Sequence, residues 1–282
     1  MSGNTSYVYG GGICNGGTLT LNNSSVSDNT ASWYGGGISN GGTLTLNNST
    51  MSGNTSYVYG GGICNVGTLT LSNSAISDNT ATDQGGGILN WGTLTITCSM
   101  INSNSSSQGG GIENWGRLHI SHSNVSGNGA GVGAGIRIHQ IGYYGTQATI
   151  IGNNILNNDS GGIWVDGEDI AVTHEAHWNN IAGNGVGLQN TTNTLFHAEN
   201  NWWGCSAGPG SAGCDSVSGN VDYTPWLTES YPLALSKSDA ADPIPAGWHI
   251  RYTIRLTNTS ETPLRSVLVT DTLPDRTKTY YW

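Results

Sequence analysis

Charge is scarce in this chain. Only 9% of the 282 residues are Asp, Glu, Lys or Arg, and 8 basic residues against 18 acidic ones leave a net charge of −10. So few cations give no electrostatic footprint for a phosphate backbone or an anionic lipid surface, which argues against nucleic acid as a partner. Long apolar runs are also missing. No stretch of about 18 apolar residues could cross a bilayer as a helix, and no basic segment followed by an apolar one stands at the start as a secretory leader would. Phe occurs once and Gly 44 times, which suits tight turns with small side chains at every corner.

What the chain has is repetition. The Ile of Gly10-Gly11-Gly12-Ile13-Cys14-Asn15 returns at Ile38, Ile63, Ile88, Ile112, Ile136 and Ile163, with Leu188 an altered eighth copy. A period in the twenties marks a solenoid or array. Each period holds three short strand-like pieces, and none is long enough for a helix. In Gly17-Thr18-Leu19-Thr20-Leu21 the leucines point to one face and the threonines to the other. One unit of this size cannot close a core. Stacking each unit on the next buries the Ile, Leu and Val columns and pairs every strand with its copies above and below. The prediction is a parallel β-helix of about eight rungs, three strands per rung, right-handed by the general crossover preference. Asn4, Asn29, Asn54, Asn79, Asn104, Asn128, Asn158 and Asn184 each follow an apolar residue by three positions. Such amides are expected to hydrogen-bond along the axis as a ladder.

Met1–Asn15 is repeated letter for letter at Met51–Asn65, and Met1 occupies the column of Val26, Met51, Ile76 and Ile101. The chain is therefore expected to begin inside a longer helix, and its missing leader is no sign of a cytoplasmic protein. Cys205 and Cys214 flank a Gly/Pro-rich loop, and a bridge between them would imply an oxidising compartment. Cys14 and Cys64 share a column two rungs apart, about 9.5 Å by strand spacing, which is too far for a bridge. Cys98 replaces a turn residue and reads as free.

Gly-Gly-Gly-Ile followed by Val/Met/Ile-x-x-Asn, over roughly Met1 to Asn184, resembles the repeats of chlamydial polymorphic outer-membrane proteins and related bacterial β-helix surface proteins, with Val, Met or Ile where that family has Phe. The resemblance implies a pectin-lyase-like right-handed parallel β-helix and an adhesive function at the cell surface. Glu199-Asn200-Asn201-Trp202-Trp203-Gly204, then Gly208-Pro209-Gly210 and Pro225-Trp226-Leu227, looks like the closing segment of secreted bacterial β-helix proteins, with its tryptophans over the end of the core. Residues 1–230 thus read as the helix, with its closing segment near 199–227, and 231–246 as a linker. Residues 247–282 alternate cleanly in His249–Leu256, and Val269-Thr270-Asp271-Thr272-Leu273-Pro274 resembles the start of an Ig-like conserved repeat domain of bacterial and archaeal cell-surface proteins. That would be the beginning of a β-sandwich of which only part is present.

Three places could carry function. Tyr7, Tyr9, Trp33, Tyr34, Tyr57 and Tyr59 precede successive glycine triplets, and stacking would align them as a stripe able to grip sugar rings or a partner protein. Asp166, Glu168, Asp169, His174 and Glu175 appear where the repeat degrades. They are the candidates for acid, base or Ca²⁺-binding roles if the chain is a polysaccharide lyase or glycoside hydrolase, for which the only cations before Lys237 are Arg117 and Arg137. His174-Glu175-Ala176-His177 is one residue short of the helical metal motif, so no metal site is expected there. Thr18/Thr20, Thr43/Thr45, Thr68/Thr70 and Thr93/Thr95 form a flat outward array like that of β-helical ice-binding proteins, although Thr is also an ordinary residue for an exposed strand. The favoured reading is a non-enzymatic extracellular or surface-anchored adhesin or spacer that needs no cofactor and meets glycans or surface proteins. A polysaccharide lyase or hydrolase is the alternative, and ice binding the lesser one.

Overall fold

The structure, a computed structural model, describes residues 1–230 and the strands Leu233–Asp239 and Tyr252–Asn258. It divides into two compact units, Met1–Tyr231 and Pro232–Trp282. The first is an all-β parallel solenoid. Its repeating strands stack into two nine-stranded sheets and one seven-stranded sheet, so the helix reaches nine rungs, one beyond those counted from the isoleucines.

The isoleucine sheet runs from Ile13–Asn15 to Ser216–Gly219, the threonine sheet from Thr18–Asn22 to Val221–Asp222, and the valine sheet from Ser25–Ser27 to Asn180–Ala182. Every neighbour is parallel, and all but the last pair of the isoleucine sheet, which shifts between Val186 and Leu188, keep the repeat register, as in Ile38↔Ile63↔Ile88 and Leu44↔Leu69↔Leu94. The first four rungs add a short fourth ladder of two-residue strands, Thr5–Ser6, Thr30–Ala31, Thr55–Ser56 and Thr80–Ala81.

The core follows from strand alternation. Ile38, Ile63, Ile88, Leu44, Leu46, Leu69, Leu71, Met51 and Ile76 are wholly buried, and the columns continue through Ile136, Ile150, Ile155 and Ile181. Each such side chain contributes roughly 1.5–3 kcal/mol on burial. Room for three sheets to meet comes from glycine: a Cβ at Gly36 would run into the Gly61 and Thr55 carbonyls of the next rung. The triplets are a close-approach requirement of the corner.

Polar ladders seal the corners. Asn54 Nδ2 donates to Asn79 Oδ1 at 2.9 Å and Asn79 Nδ2 to Asn104 Oδ1 at 3.0 Å, while the Asn54 N–H donates to the same Asn79 oxygen at 3.0 Å. Asp215 ends this ladder by accepting from Asn184 and Gly185. A second ladder, Asn15–Asn40–Asn65–Asn90–Asn114, has amide steps of 2.7 Å. A third passes through Ser49, Ser74, Ser99 and Ser123 to Asn153, Asn179 and Asn201. The first two are Asn columns at the repeat spacing, whereas the third changes from Ser to Asn along its length.

At the closing end, Trp203 is fully buried in the core and Trp226 packs against it, while Trp202 is half-buried and bridges to Asn180. Trp203 therefore covers the apolar column and Trp202 lies in the wall. Cys205 and Cys214 form a disulfide with Cα atoms 5.2 Å apart; Cys14, Cys64 and Cys98 are free. No helix among the described residues is long and apolar enough to cross a membrane. In the second unit Leu233–Asp239, within the stretch read as linker, pairs antiparallel with Tyr252–Asn258. Val269–Pro274, which carries the Ig-like resemblance, lies outside the described residues.

Replacing Asn79 by Ala strands the buried Asn54 N–H and the Met51 carbonyl that Asn79 Nδ2 serves. At about 1–3 kcal/mol per orphaned group, Asn79→Ala lowers stability in urea by about 2–4 kcal/mol. Asn47→Ala, which removes an exposed amide contact to Asn22, costs under about 0.5 kcal/mol. Equal losses would show that the inner ladder has no special weight.

Candidate functional site

The aromatic stripe is real but divides in two. Tyr9, Tyr34 and Tyr59 occupy one column and stack face to face, with ring centroids 5.3 and 5.4 Å apart. Tyr34 is covered on both faces, while Tyr9, stacked on Tyr34 alone, is still 54% exposed. Tyr7, Trp33 and Tyr57 lie outside that column at 87, 51 and 61% exposure, and their rings stand free for a ligand.

The stacked column is joined from the other edge of the isoleucine sheet by residues that sequence reading missed. Trp91 meets Tyr34 and Tyr59 edge-on at 6.1 and 5.6 Å, Trp115 meets Trp91 at 6.2 Å, and His139 lies 4.8 Å from Trp115. Tyr144 and Tyr143, on the short turn Gly142–Tyr144, extend the contacts past Trp115. Beneath this layer the outward Cys64 and Leu89 are buried, and burial pushes the Cys64 thiol up to about 12.

The same outward column then changes chemistry: Leu89 is followed in register by Glu113 and Arg137. Arg137 Nη1 donates to Glu113 Oε1 and to Gln108 Oε1, each at 2.7 Å, and Nη2 donates to Asp166 Oδ2 at 2.8 Å. His139 Nδ1 lies 2.6 Å from Asp166 Oδ1, and Trp115 Nε1 donates to Glu113 Oε1 at 2.6 Å. Burial raises the Glu113 carboxyl to about 7, against the opposing pull of the Arg137 charge and the Trp115 hydrogen bond. Burial alone would also raise Asp166. The His139 hydrogen bond and the Arg137 charge outweigh it and hold Asp166 below the usual carboxylate range.

Of the other acidic candidates, each has its own partner. Glu168 accepts from the Gly142 N–H at 3.1 Å and so holds the turn bearing Tyr143 and Tyr144. Asp169 accepts from the Asn193 backbone and side chain, both at 2.6 Å. Glu175 accepts from Thr149 Oγ1 at 3.0 Å. Asp166, Glu168 and Asp169 thus flank Gly167 without converging on one point. His174 faces inward, 1% exposed, while Glu175 and His177 face differently along the same strand. Strand alternation therefore sets His174 and His177 on opposite sides, which removes them as a ligand pair.

Arg137 was visible in the sequence as a member of the Cys14 column. Reading one copy earlier in that column finds Glu113, an oppositely charged neighbour on the adjacent strand. Trp91 and Trp115 were findable in the same way, as the residues that follow Asn90 and Asn114 where earlier copies carry Gly or Val.

Fold and site together define an aromatic-faced parallel β-solenoid repeat protein. No protein-family model, curated protein or solved structure matches the chain.

Burial pushes His174 down to about 4. The Ala148 N–H donates to its Nδ1 at 3.1 Å, so the neutral ring carries its proton on Nε2, which donates to the Gln140 side-chain amide at 2.8 Å once that amide turns its otherwise unpartnered oxygen toward the ring. A folded pKa below the ordinary value means that the unfolded chain takes the proton first. The stability due to neutral His174 is complete above about pH 6.5 and is lost as pH falls toward about 4, by about 3 kcal/mol at 1.36 kcal/mol per unit. Glu113 acts in the opposite sense, losing stability as pH rises from 4.5 to about 7. His174→Gln keeps an acceptor without the titration, so its melting temperature falls less between pH 6.5 and 4 than that of the parent; parallel pH profiles would contradict this origin.

Proposed function

We propose that the chain is a non-enzymatic extracellular surface protein, an adhesin or rigid spacer whose repetitive solenoid face meets glycans or a partner surface protein. The observation that carries this reading is the set of exposed rings Tyr7, Trp33 and Tyr57 on successive rungs, beside the packed column of Tyr9, Tyr34 and Tyr59. Rings with open faces and polar tips suit sugar rings and mixed protein surfaces. Mounted on one rigid body, several weak contacts add as avidity. The Cys205–Cys214 disulfide suits an oxidising, extracellular setting. The resemblance of the Gly-Gly-Gly-Ile and Val/Met/Ile-x-x-Asn repeats to bacterial β-helix surface proteins, and of Val269–Pro274 to an Ig-like stalk domain, supports the same placement.

One observation favours a second reading, a polysaccharide lyase or glycoside hydrolase. His139 and Asp166 form a close pair beside a carboxyl raised to about 7, in rungs that depart from the repeat. It ranks second because Arg137 is already committed to two carboxylates and Glu113 has no exposed surface. A free cation for a uronate, and a carboxyl open to a glycosidic oxygen, are what those reactions need.

Retention of the purified chain on immobilised acidic and neutral polysaccharides separates the readings. The triple variant Tyr7→Ala/Trp33→Ala/Tyr57→Ala is expected to lose at least about tenfold in retention, at roughly 0.5–1.5 kcal/mol per ring, with an unchanged circular dichroism spectrum and melting temperature. Unaltered retention would remove these rings as the site. Release of unsaturated or reducing-end products by the parent, abolished in Asp166→Asn, would replace the adhesin with an enzyme.

A further inference from the structure

On the outer face of the threonine sheet, at the closing end, a second group of side chains converges. Phe196 is fully buried, so His197, which follows it on the strand, points outward, and Glu199 lies in the turn just beyond, half-buried. His197 is in register with Asp222 on the next rung. Ligand atoms of His197, Glu199 and Asp222 all lie within 4.8 Å of one another, the only such trio of His, Cys, Asp or Glu among the described residues.

The hydrogen bonds within the group are long. His197 Nδ1 and Glu199 Oε1 are 3.4 Å apart, long for a charge-assisted hydrogen bond. Donors held at about 2.0–2.2 Å by one tetrahedral ion lie about 3.3–3.6 Å from each other. Glu199 Oε2 is closed off from solvent and accepts no hydrogen bond. Its ionic neighbour His177 Nδ1, at 3.5 Å, lies closer to the Glu199 carbonyl, at 2.9 Å. Asp222 Oδ1 takes only two long contacts from Thr224, both 3.3 Å. A carboxylate oxygen withdrawn from water, whose nearest nitrogen is turned to another acceptor, is open to a cation.

We propose that His197, Glu199 and Asp222 form a binding site for a first-row divalent cation of the Zn²⁺ class, with positions left for water or another ligand. One imidazole with two carboxylates selects such an ion over Ca²⁺, which takes six to eight oxygens. The site ties the strand Phe196–His197 to Val221–Asp222. It thereby links the last two rungs of the threonine sheet, where the repeat has lost its Thr-x-Thr pattern. The proposal is independent of the aromatic face.

Isothermal titration of the tag-free chain with ZnCl₂, and separately with CaCl₂, tests it. One saturable Zn²⁺ site of micromolar or tighter affinity is expected, weakened at least tenfold by His197→Ala and by Asp222→Asn and unaffected by His119→Ala or His122→Ala. X-ray absorption of the 1:1 complex should show only nitrogen and oxygen donors. A rise in melting temperature with Zn²⁺ should vanish in His197→Ala. Absence of saturable Zn²⁺ binding, affinity unchanged by the His197 and Asp222 variants, or Ca²⁺ bound more tightly than Zn²⁺ would each overturn the assignment.

Discussion

The structure depends on hydrogen bonds between side-chain amides stacked one rung apart. At up to three corners of a rung an Asn or Ser turns inward and joins the backbone of an adjacent rung to the equivalent residue of its neighbour. A solenoid corner would otherwise bury peptide groups that no sheet can satisfy, each costing about 1–3 kcal/mol. The amide serves them from within, because it donates twice and accepts on one oxygen. This requirement also keeps the rungs in register, since a slip of one residue would break every ladder and turn every apolar column outward.

Register is what converts a repeat into a surface. Because each outward position recurs directly above its copy, a substitution in one copy becomes the neighbour of a known residue. The outward isoleucine-sheet column passes from Cys64 and Leu89 under a ring layer to Glu113 and Arg137 in a charged one. Arg117 and His119 end the threonine array in the same manner, opposite Thr93 and Thr95. Repetition supplies the rigid frame, and departures from it supply the chemistry.

The fold was legible because the apolar spacing, the Thr-Leu alternation and the Asn columns all demand the same stacking. The candidate site was legible only in part. Tyr7 and Tyr9 look alike in sequence, but Tyr7 is 87% exposed while Tyr9, at 54%, stacks on Tyr34. The acids from Asp166 to Glu175 were conspicuous as the first cluster of charge. Their partners Arg137, Gly142, Asn193 and Thr149 come from other rungs or loops, and only three-dimensional register assigns them. His197, Glu199 and Asp222 escaped notice because 22 residues, the disulfide loop among them, separate Glu199 from Asp222 in sequence.

Hydrogen exchange of the backbone amides tests most directly whether the inner ladders hold the solenoid. The Asn54, Asn79 and Asn104 N–H groups donate to side-chain oxygens of the next rung, at turn positions where a solvated loop would exchange quickly. Protection at these amides matching that of Leu69 and Leu94 in the threonine sheet is the expected result. Exchange at open-loop rates there, with the sheet amides still protected, would contradict the account and leave apolar stacking alone as the force that sets the register.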